Sequence, residues 1–109
     1  MFCRIVEVRG EPFGFYTLVL SSPQENEVEL KQIYIRQSQY GTGLGRRLHD
    51  DALTVARQNG STSIWLHVSD KNVRAWRFYE TLGYERSGTG PIFKVGSDRL
   101  SSTRMQLDL

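Results

Sequence analysis

The chain has 109 residues, of which 39% are hydrophobic and 24% charged, a composition typical of folded globular proteins rather than disordered ones. The net charge of +2 is too small to predict a nucleic-acid partner, and the single cysteine, Cys3, excludes an internal disulfide and a cysteine-based metal site. No apolar run approaches membrane-spanning length and no leader pattern follows Met1, so we expect one cytoplasmic domain over residues 1–109, without a metal ion or a membrane partner.

The first part of the chain predicts an antiparallel hairpin that leads into a third strand. Residues 2–9 read as a strand, residues 10–12 as a turn, and residues 13–20 as the returning strand. A polar loop over residues 21–26 then precedes the strand Glu27–Ile35, in which β-branched residues are frequent.

A glycine-rich turn joins this third strand to the first predicted helix, which runs to about residue 58 and stops at Asn59-Gly60. One face of the helix is apolar: Leu44, Leu48, Ala52 and Val55. The turn reads Gly41-Thr42-Gly43-Leu44-Gly45 and is followed by Arg46 and Arg47. A strand, a glycine turn and a helix N-terminus leave backbone N–H groups pointing outward, where the helix dipole favours an anion such as a pyrophosphate.

The residue order of this turn excludes two familiar phosphate-binding loops. The dinucleotide fingerprint requires glycine where Arg46 stands, and the nucleoside-triphosphate loop requires a Gly-Lys-Ser/Thr ending that the turn lacks. A nucleotide-binding protein is therefore disfavoured.

The second half of the chain predicts a strand over residues 62–68, a helix over residues 72–82 that ends at Gly83, and one or two further strands. Those last strands are assigned to residues 85–87, 92–95 and 104–107, with loops over residues 88–91 and 96–102. Because a helix intervenes, the strand over residues 62–68 should lie parallel to Glu27–Ile35. Two groups of side chains receive no functional role: His49, Asp50 and Asp51 are interpreted as solvated helix surface, and Trp65 and Trp76 as core residues.

Two stretches together resemble the GCN5-related N-acetyltransferases: Tyr40-Gly41-Thr42-Gly43-Leu44-Gly45 and Asn72-Val73-Arg74-Ala75-Trp76-Arg77-Phe78-Tyr79-Glu80-Thr81-Leu82-Gly83-Tyr84. In that family the first stretch holds the pyrophosphate of acetyl-coenzyme A and the second forms a short helix beside the thiol. The resemblance covers most of the chain from about Gly14 onward, with one departure, because Tyr40 stands where glutamine or arginine is usual. It implies an α/β (α+β) fold with a mixed, mostly antiparallel central sheet and a parallel β-α-β unit at the cofactor site. The family's first strand and first two helices are expected to be lacking.

The resemblance also implies a cofactor site. The backbone of Ile33, Tyr34 and Ile35 would pair with the pantetheine arm, and a nearby N–H would polarise the thioester carbonyl. The other implied cofactor-binding residues are Tyr40, Gly41, Thr42, Gly43, Leu44, Gly45, Arg46, Asn72 and Tyr79. Asn72 is explained equally well as a helix N-cap, which its side chain serves whatever the function.

Three side chains are candidates for acid–base chemistry. Tyr79 matches the family's frequent general acid and is also explained as a buried aromatic beside Phe78, and both interpretations can hold together. Tyrosine ionises near about 10 and a thiol near about 8.5, so hydrogen bonding to the developing thiolate is a better role than full proton transfer. His67 has a suitable reference pKa for a base, and Glu29 on the neighbouring strand competes with it.

These observations predict an N-acetyltransferase that moves an acetyl group from acetyl-coenzyme A to an amine of a small molecule or peptide. The amine should attack the thioester directly, since Cys3 is not expected to act as a covalent carrier. The alternative is a non-catalytic coenzyme A-binding module or truncated subunit with a regulatory or interaction role. Exposed strand edges make a homodimer an additional expectation.

Overall fold

The computed structural model of the protein describes residues 2–8, 11–20 and 26–109. In chain order the elements are β1 (Phe2–Val8), β2 (Glu11–Leu20), β3 (Glu27–Ile35), a 3-10 turn (Gln37–Gln39), α1 (Leu44–Gln58), β4 (Ser63–Ser69), α2 (Val73–Thr81), β5 (Glu85–Thr89), β6 (Phe93–Val95), β7 (Asp98–Leu100) and β8 (Ser102–Asp108). They divide into two compact units, residues 1–64 with residue 109 and residues 65–108. Neither helix of the described ranges combines the length and apolarity needed to span a membrane.

The first unit is a three-stranded antiparallel sheet in the order β1-β2-β3, with α1 packed against β2 and β3. The predicted apolar face of α1 is confirmed, because Leu48 and Ala52 are fully buried. The helix lies close to β2 at Gly14, where a Cβ would stand 2.8 Å from the carbonyl oxygen of Tyr34 and 3.0 Å from Cδ1 of Leu48. Glycine at this position therefore sets the distance at which helix and sheet pack.

A β-bulge changes the register in the middle of β3. Thr17 pairs with Gln32 whereas the next residue of β2 pairs with Leu30, so Lys31 is the extra residue. Leu30 is buried before the bulge, whereas Ile33 and Ile35 after it are only half-buried. The bulge thus shifts the alternation of β3 by one residue, so that Ile33 and Ile35, which pair with Tyr16 and Gly14, face the same side of the sheet as Leu30.

Both helices end in the same hydrogen-bonded motif, which confirms the predicted stops at Gly60 and Gly83. At the end of α1, Gly60 N donates to Arg57 O at 3.0 Å and Ser61 N donates to Ala56 O at 3.0 Å. The corresponding bonds at the end of α2 are Gly83 N to Glu80 O at 3.0 Å and Tyr84 N to Tyr79 O at 3.1 Å. This is the Schellman arrangement, which requires a left-handed residue after the cap.

The second unit contains the strands β4, β8 and β5 in that spatial order, the helix α2, and a separate β6–β7 hairpin. Its buried apolar side chains are Leu66, Val68, Tyr79, Tyr84 and Met105. The predicted alternation along β4 is confirmed, since Leu66 and Val68 are buried and His67 between them is half-buried.

Several predicted boundaries were wrong, and the end of the chain contains four strands where one or two were predicted, the first of which extends into the loop assigned to residues 88–91. The loop assigned to residues 96–102 contains the strand β7, which pairs antiparallel with β6 across the tight turn at Gly96. The turn assigned to residues 10–12 ends earlier, because Glu11 and Pro12 already belong to β2; the strand tolerates Pro12 where its register with β1 shifts. Residues 9 and 10, and residues 21–25 of the predicted loop, lie outside the described residues.

The interpretation of His49 and Asp51 as solvated surface was also wrong. His49 is 1% exposed, because it falls on the buried stripe of α1 with Gly45 and Ala52. Asp51 accepts hydrogen bonds from the Tyr16 hydroxyl and from Arg4 Nη1, the latter at 3.1 Å, so its carboxylate ties α1 to the sheet.

The two tryptophans are half-buried rather than core residues. Each has an arginine guanidinium on its ring face, Arg104 at 4.9 Å from the Trp65 centroid and Arg86 at 4.6 Å from the Trp76 centroid. A cation that covers an aromatic ring in this way replaces part of the apolar packing expected for a core residue.

The predicted fold class is confirmed: a mixed α/β chain with two helices, whose strands pair mostly antiparallel. The elements β3, α1 and β4 also follow one another as the predicted strand–helix–strand unit.

Candidate active site

The turn before α1 has the backbone geometry that a close anion contact requires. Gly41 has φ = +80° and Gly43 has φ = +85°, a conformation that glycine adopts without steric cost. A Cβ at either position would meet no atom of the described residues within 4 Å. The outer side of the turn is therefore open backbone.

The amide groups that follow are not yet in the helical hydrogen-bond pattern. The first i→i−4 bond at this end runs from Arg47 N to Gly43 O at 3.1 Å, so the amides of Gly45 and Arg46 precede it. The Thr42 hydroxyl donates to Gln39 O at 2.6 Å and lies 3.4 Å from Leu44 N. Thr42 thus uses its side chain to shape the turn.

The charges around the turn favour an anion. The first helical turn of α1 contains no acidic residue, and the side chains of Arg46 and Arg47 are exposed. Added to the helix dipole, these features suit a pyrophosphate. Tyr40, which precedes the glycines, is 46% exposed and donates its backbone N–H to Gln37 O at 3.1 Å.

The end of β3 supplies the remaining cofactor candidates of the first unit. Ile33 and Ile35 are half-buried, and Tyr34 is 49% exposed with its ring stacked on Phe15 at 5.5 Å. Glu29 is half-buried on the same strand, before the bulge. The first unit therefore contains the glycine turn, the end of β3 after the bulge and one carboxylate candidate, Glu29.

Asn72 in the second unit is the N-cap of α2, as the sequence predicted. Its Oδ1 accepts a hydrogen bond from Ala75 N at 3.1 Å. Because the oxygen is used for the cap, the side chain has its amide NH₂ left as the group to offer a cofactor. The cofactor contact of Asn72 stays a prediction.

Tyr79 is a buried aromatic, also as predicted. It is 8% exposed, and its ring meets the rings of Phe78 and Tyr84 edge-on, with centroids 5.3 Å away in both cases. Burial raises the pKa of Tyr79 to about 12. The phenol therefore stays protonated and retains its hydrogen-bond donor at any ordinary pH.

His67 is half-buried on β4 and is contacted on two sides. The ring of Trp65 lies edge-on to it at 5.0 Å between centroids. On another side, a Cβ placed on Gly90 would stand 2.8 Å from Cδ2 of His67, which shows how closely that backbone approaches the ring.

The sequence reasoning missed the polar support around these residues. The Asp70 carboxylate accepts hydrogen bonds from Ser101 Oγ at 2.6 Å and Thr103 Oγ1 at 2.7 Å, which hold the pKa of Asp70 below its usual value. This cluster ties the end of β4, just before Asn72, to the start of β8. These hydrogen bonds join residues far apart in sequence, so no local pattern predicts them. The second unit therefore contains the candidates Asn72, Tyr79 and His67 together with this support.

Comparison with known proteins places the chain in one family. The model of the acetyltransferase (GNAT) family matches residues 1–84. An uncharacterized N-acetyltransferase of Mycobacterium bovis is 36% identical over 88 residues, which are 81% of this chain and 54% of that protein.

Solved structures show the same fold. Nourseothricin acetyltransferase superposes with a TM-score of 0.82 at 25% identity, over 91% of this chain and 59% of its own. The putative acetyltransferase YncA of Salmonella typhimurium, solved with its cofactor acetyl-CoA, gives 0.79 at 24% identity, over 97% of this chain and 63% of its own. The chain thus spans little more than half the length of the relatives it matches.

Proposed function

This chain belongs to the acetyltransferase (GNAT) family, and on that basis we propose that it transfers an acetyl group from acetyl-coenzyme A to an amine by direct attack. The observation that supports this most strongly is the glycine turn, with left-handed Gly41 and Gly43 and open backbone ahead of α1. Binding of a pyrophosphate requires an open backbone turn of this kind. A helix that simply begins after a strand does not require such a turn.

In this proposal the first unit holds the cofactor. The amides of Gly43, Gly45 and Arg46 bind the pyrophosphate, and the exposed Arg46 side chain adds charge. The bulged end of β3, residues 33–35, pairs with the pantetheine arm and offers a backbone N–H to the thioester carbonyl. Acetyl-coenzyme A supplies the activated acyl group, and the protein supplies position and electrostatics.

The chemistry then consists of one nucleophilic substitution at the thioester. The amine lone pair forms the new C–N bond, the carbonyl oxygen takes the charge of the tetrahedral intermediate, and the C–S bond breaks to release thiolate. The Tyr79 hydroxyl hydrogen-bonds that thiolate, and the proton lost by the amine passes to a base.

His67 is the base favoured here over Glu29. Both are half-buried. The His67 ring is held by Trp65 and by the Gly90 backbone, and a fixed ring suits a group that must meet an amine in one geometry. Since a primary amine with a pKa near about 10 is mostly protonated at neutral pH, such a base is needed.

The acceptor is proposed to be an amine of a small molecule or a peptide. A relative from Bos taurus is named thialysine N-epsilon-acetyltransferase, a name that gives an ε-nitrogen as the acceptor. The non-catalytic alternative, a coenzyme A-binding module, predicts cofactor binding without transfer to any amine.

Titration calorimetry with acetyl-coenzyme A tests the proposal, on the wild type and on the matched variants Gly43→Trp and Gly60→Trp. Both glycines have nearly the same left-handed backbone, φ = +85° and +81°, both face open space, and they flank opposite ends of α1. The strain is therefore matched, and only the Gly43 variant should lose binding, by roughly 100-fold or more, because its side chain fills the pyrophosphate cradle.

Circular dichroism checks that the variants fold, and the corresponding alanine pair replaces them if they do not. A folded wild type that gives no heat of binding, or two variants that bind equally well, would contradict the proposal.

We also propose that the protein self-associates through β5. This strand is at the end of the order β4-β8-β5, and all of its residues, Glu85–Thr89, are exposed. An exposed edge presents unpaired backbone groups to another strand. Light scattering over a range of protein concentrations should show a dimer, and a monomer throughout would overturn this point.

A further inference from the structure

The contact between Gly90 and His67 has a role beyond packing. A Cβ on Gly90 would stand 2.8 Å from Cδ2 and 3.2 Å from Cγ of His67, and it would overlap Oγ of Ser102. Real Cβ atoms do not approach other atoms this closely, so any other residue at position 90 must displace the ring, the hydroxyl or the backbone. Unlike the glycines before α1, Gly90 is required for space.

The backbone at Gly90 is fixed to β8 by two hydrogen bonds. Gly90 N donates to Ser102 O at 3.0 Å, and Ser102 Oγ donates to Pro91 O at 2.6 Å. Ser102 is itself 4% exposed, so its hydroxyl is anchored in the interior of the unit. The segment Gly90-Pro91 therefore cannot easily retreat from the histidine.

The other side of His67 is held by a chain of contacts. The Trp65 ring meets the His67 ring at 5.0 Å and 66°, and the Arg104 guanidinium lies 4.9 Å from the Trp65 centroid. Arg104 Nη1 in turn donates to Ser87 Oγ and to Gln106 Oε1, both at 2.7 Å. The His67 imidazole thus lies between the Trp65 ring, which Arg104 contacts on its face, and the Gly90 backbone, which is hydrogen-bonded to β8.

We propose that Gly90 is a positioning residue for His67, which aligns the imidazole for proton removal from the acceptor amine. The inference rests on the proposed function, since His67 is the base of that reaction. Positioning of this kind affects the rate of the chemical step and leaves the affinity for the cofactor unchanged.

Kinetics of the Gly90→Ala variant test the proposal once an amine acceptor has been found. We expect kcat to fall at least tenfold while the KM for acetyl-coenzyme A stays within twofold of the wild type. The control is Gly96→Ala in the β6–β7 turn, where a Cβ meets no atom of the described residues within 4 Å and alanine strains only the local backbone, which has φ = +63°; there kcat should stay within twofold.

A double variant separates positioning from a loss of structure. In a His67→Ala background, Gly90→Ala should cause no further loss, because the group that it displaces is gone; a full additional tenfold loss would overturn the proposal.

Nuclear magnetic resonance gives a readout that needs no substrate. The chain has only two histidines, His49 and His67, so their ring signals are easily told apart. The wild type should show a nuclear Overhauser contact between Hδ2 of His67 and Hα of Gly90, and Gly90→Ala should shift the His67 ring signals and leave those of His49 unchanged. A missing contact refutes the positioning role of Gly90, whereas an intact contact in a protein that does not bind acetyl-coenzyme A refutes only the proposed function.

Discussion

At the scale of single residues, the surroundings of Tyr79 decide which part of an acetyl transfer its hydroxyl can serve. Burial raises its pKa to about 12, compared with a reference value near about 8.5 for a thiol. Moving the proton from Tyr79 to the thiolate would therefore cost roughly 5 kcal/mol. A hydrogen bond to the leaving sulfur carries no such cost, so burial strengthens the case for a donor over an acid.

Replacement of Tyr79 by phenylalanine should isolate that hydrogen bond. The variant keeps the ring contacts with Phe78 and Tyr84 and removes only the hydroxyl. We expect kcat to fall by roughly 100-fold, the usual cost of one donor to a developing negative charge, with acetyl-coenzyme A binding unchanged. Coenzyme A thiol release in the presence of an amine acceptor measures the first quantity, and calorimetry the second.

Tyr84→Phe is the matched control for this experiment. Tyr84 is also buried, its pKa is raised by burial and by the neighbouring Tyr79, and its ring lies 5.3 Å from that of Tyr79. Removal of its hydroxyl should leave kcat within a few-fold of the wild type. Equal losses in the two variants would show that buried hydroxyls in this cluster matter for structure and not for the leaving group.

At the scale of elements, α1 combines a proposed cofactor-binding end with a buried titratable residue in its middle. Its N-terminus presents the open amides, and its inner face packs His49 at 1% exposure. Burial, assisted by Arg46 and opposed by Asp50, lowers the pKa of His49 from 6.5 to about 4. The helix is therefore most stably packed when this imidazole is neutral.

The protein should lose stability as the pH falls below 6.5. In that range His49 binds a proton in the unfolded chain but not in the folded chain. The contribution of neutral His49 to the stability of the fold is therefore complete above pH 6.5 and is lost as the pH approaches 4. Between pH 7 and pH 5 the expected decrease in unfolding free energy is about 2 kcal/mol. Urea denaturation at the two pH values measures it.

The variant His49→Gln should abolish most of this pH dependence, and His67→Gln, which changes the other histidine, should retain it. Asp70 does not interfere, because its lowered pKa removes stability only as the pH falls below about 4. An equal pH dependence in wild type and His49→Gln would assign the effect to other groups.

At the scale of the whole molecule, the candidate residues are distributed over both compact units. The residues expected to hold the cofactor's pyrophosphate lie in residues 1–64, whereas Asn72, Tyr79 and His67 belong to residues 65–108. The family model covers residues 1–64 of the first unit and the beginning of the second, since it matches residues 1–84.

Local sequence patterns were sufficient to predict most of the fold and to propose residues for the candidate site. Gly41 and Gly43 indicate a left-handed turn because glycine adopts that backbone at little energetic cost. Asn72 indicates a helix cap because its side-chain oxygen can accept a hydrogen bond from a backbone N–H that has no backbone acceptor. The apolar spacing of α1 likewise marks its buried face. Each of these signals depends on neighbours in the chain, so it can be read without the tertiary structure.

The environment of the candidate residues was decided only by tertiary contacts. His49 looks like part of a charged surface in sequence, yet it packs inward because it shares a helical stripe with Gly45 and Ala52. Gly90 looks like a loop residue, yet its backbone lies against His67 because β8 holds it there. Burial and close approach depend on residues distant in sequence. The sequence therefore determined which groups are available, and the packing decided their protonation states and the precision with which they are held.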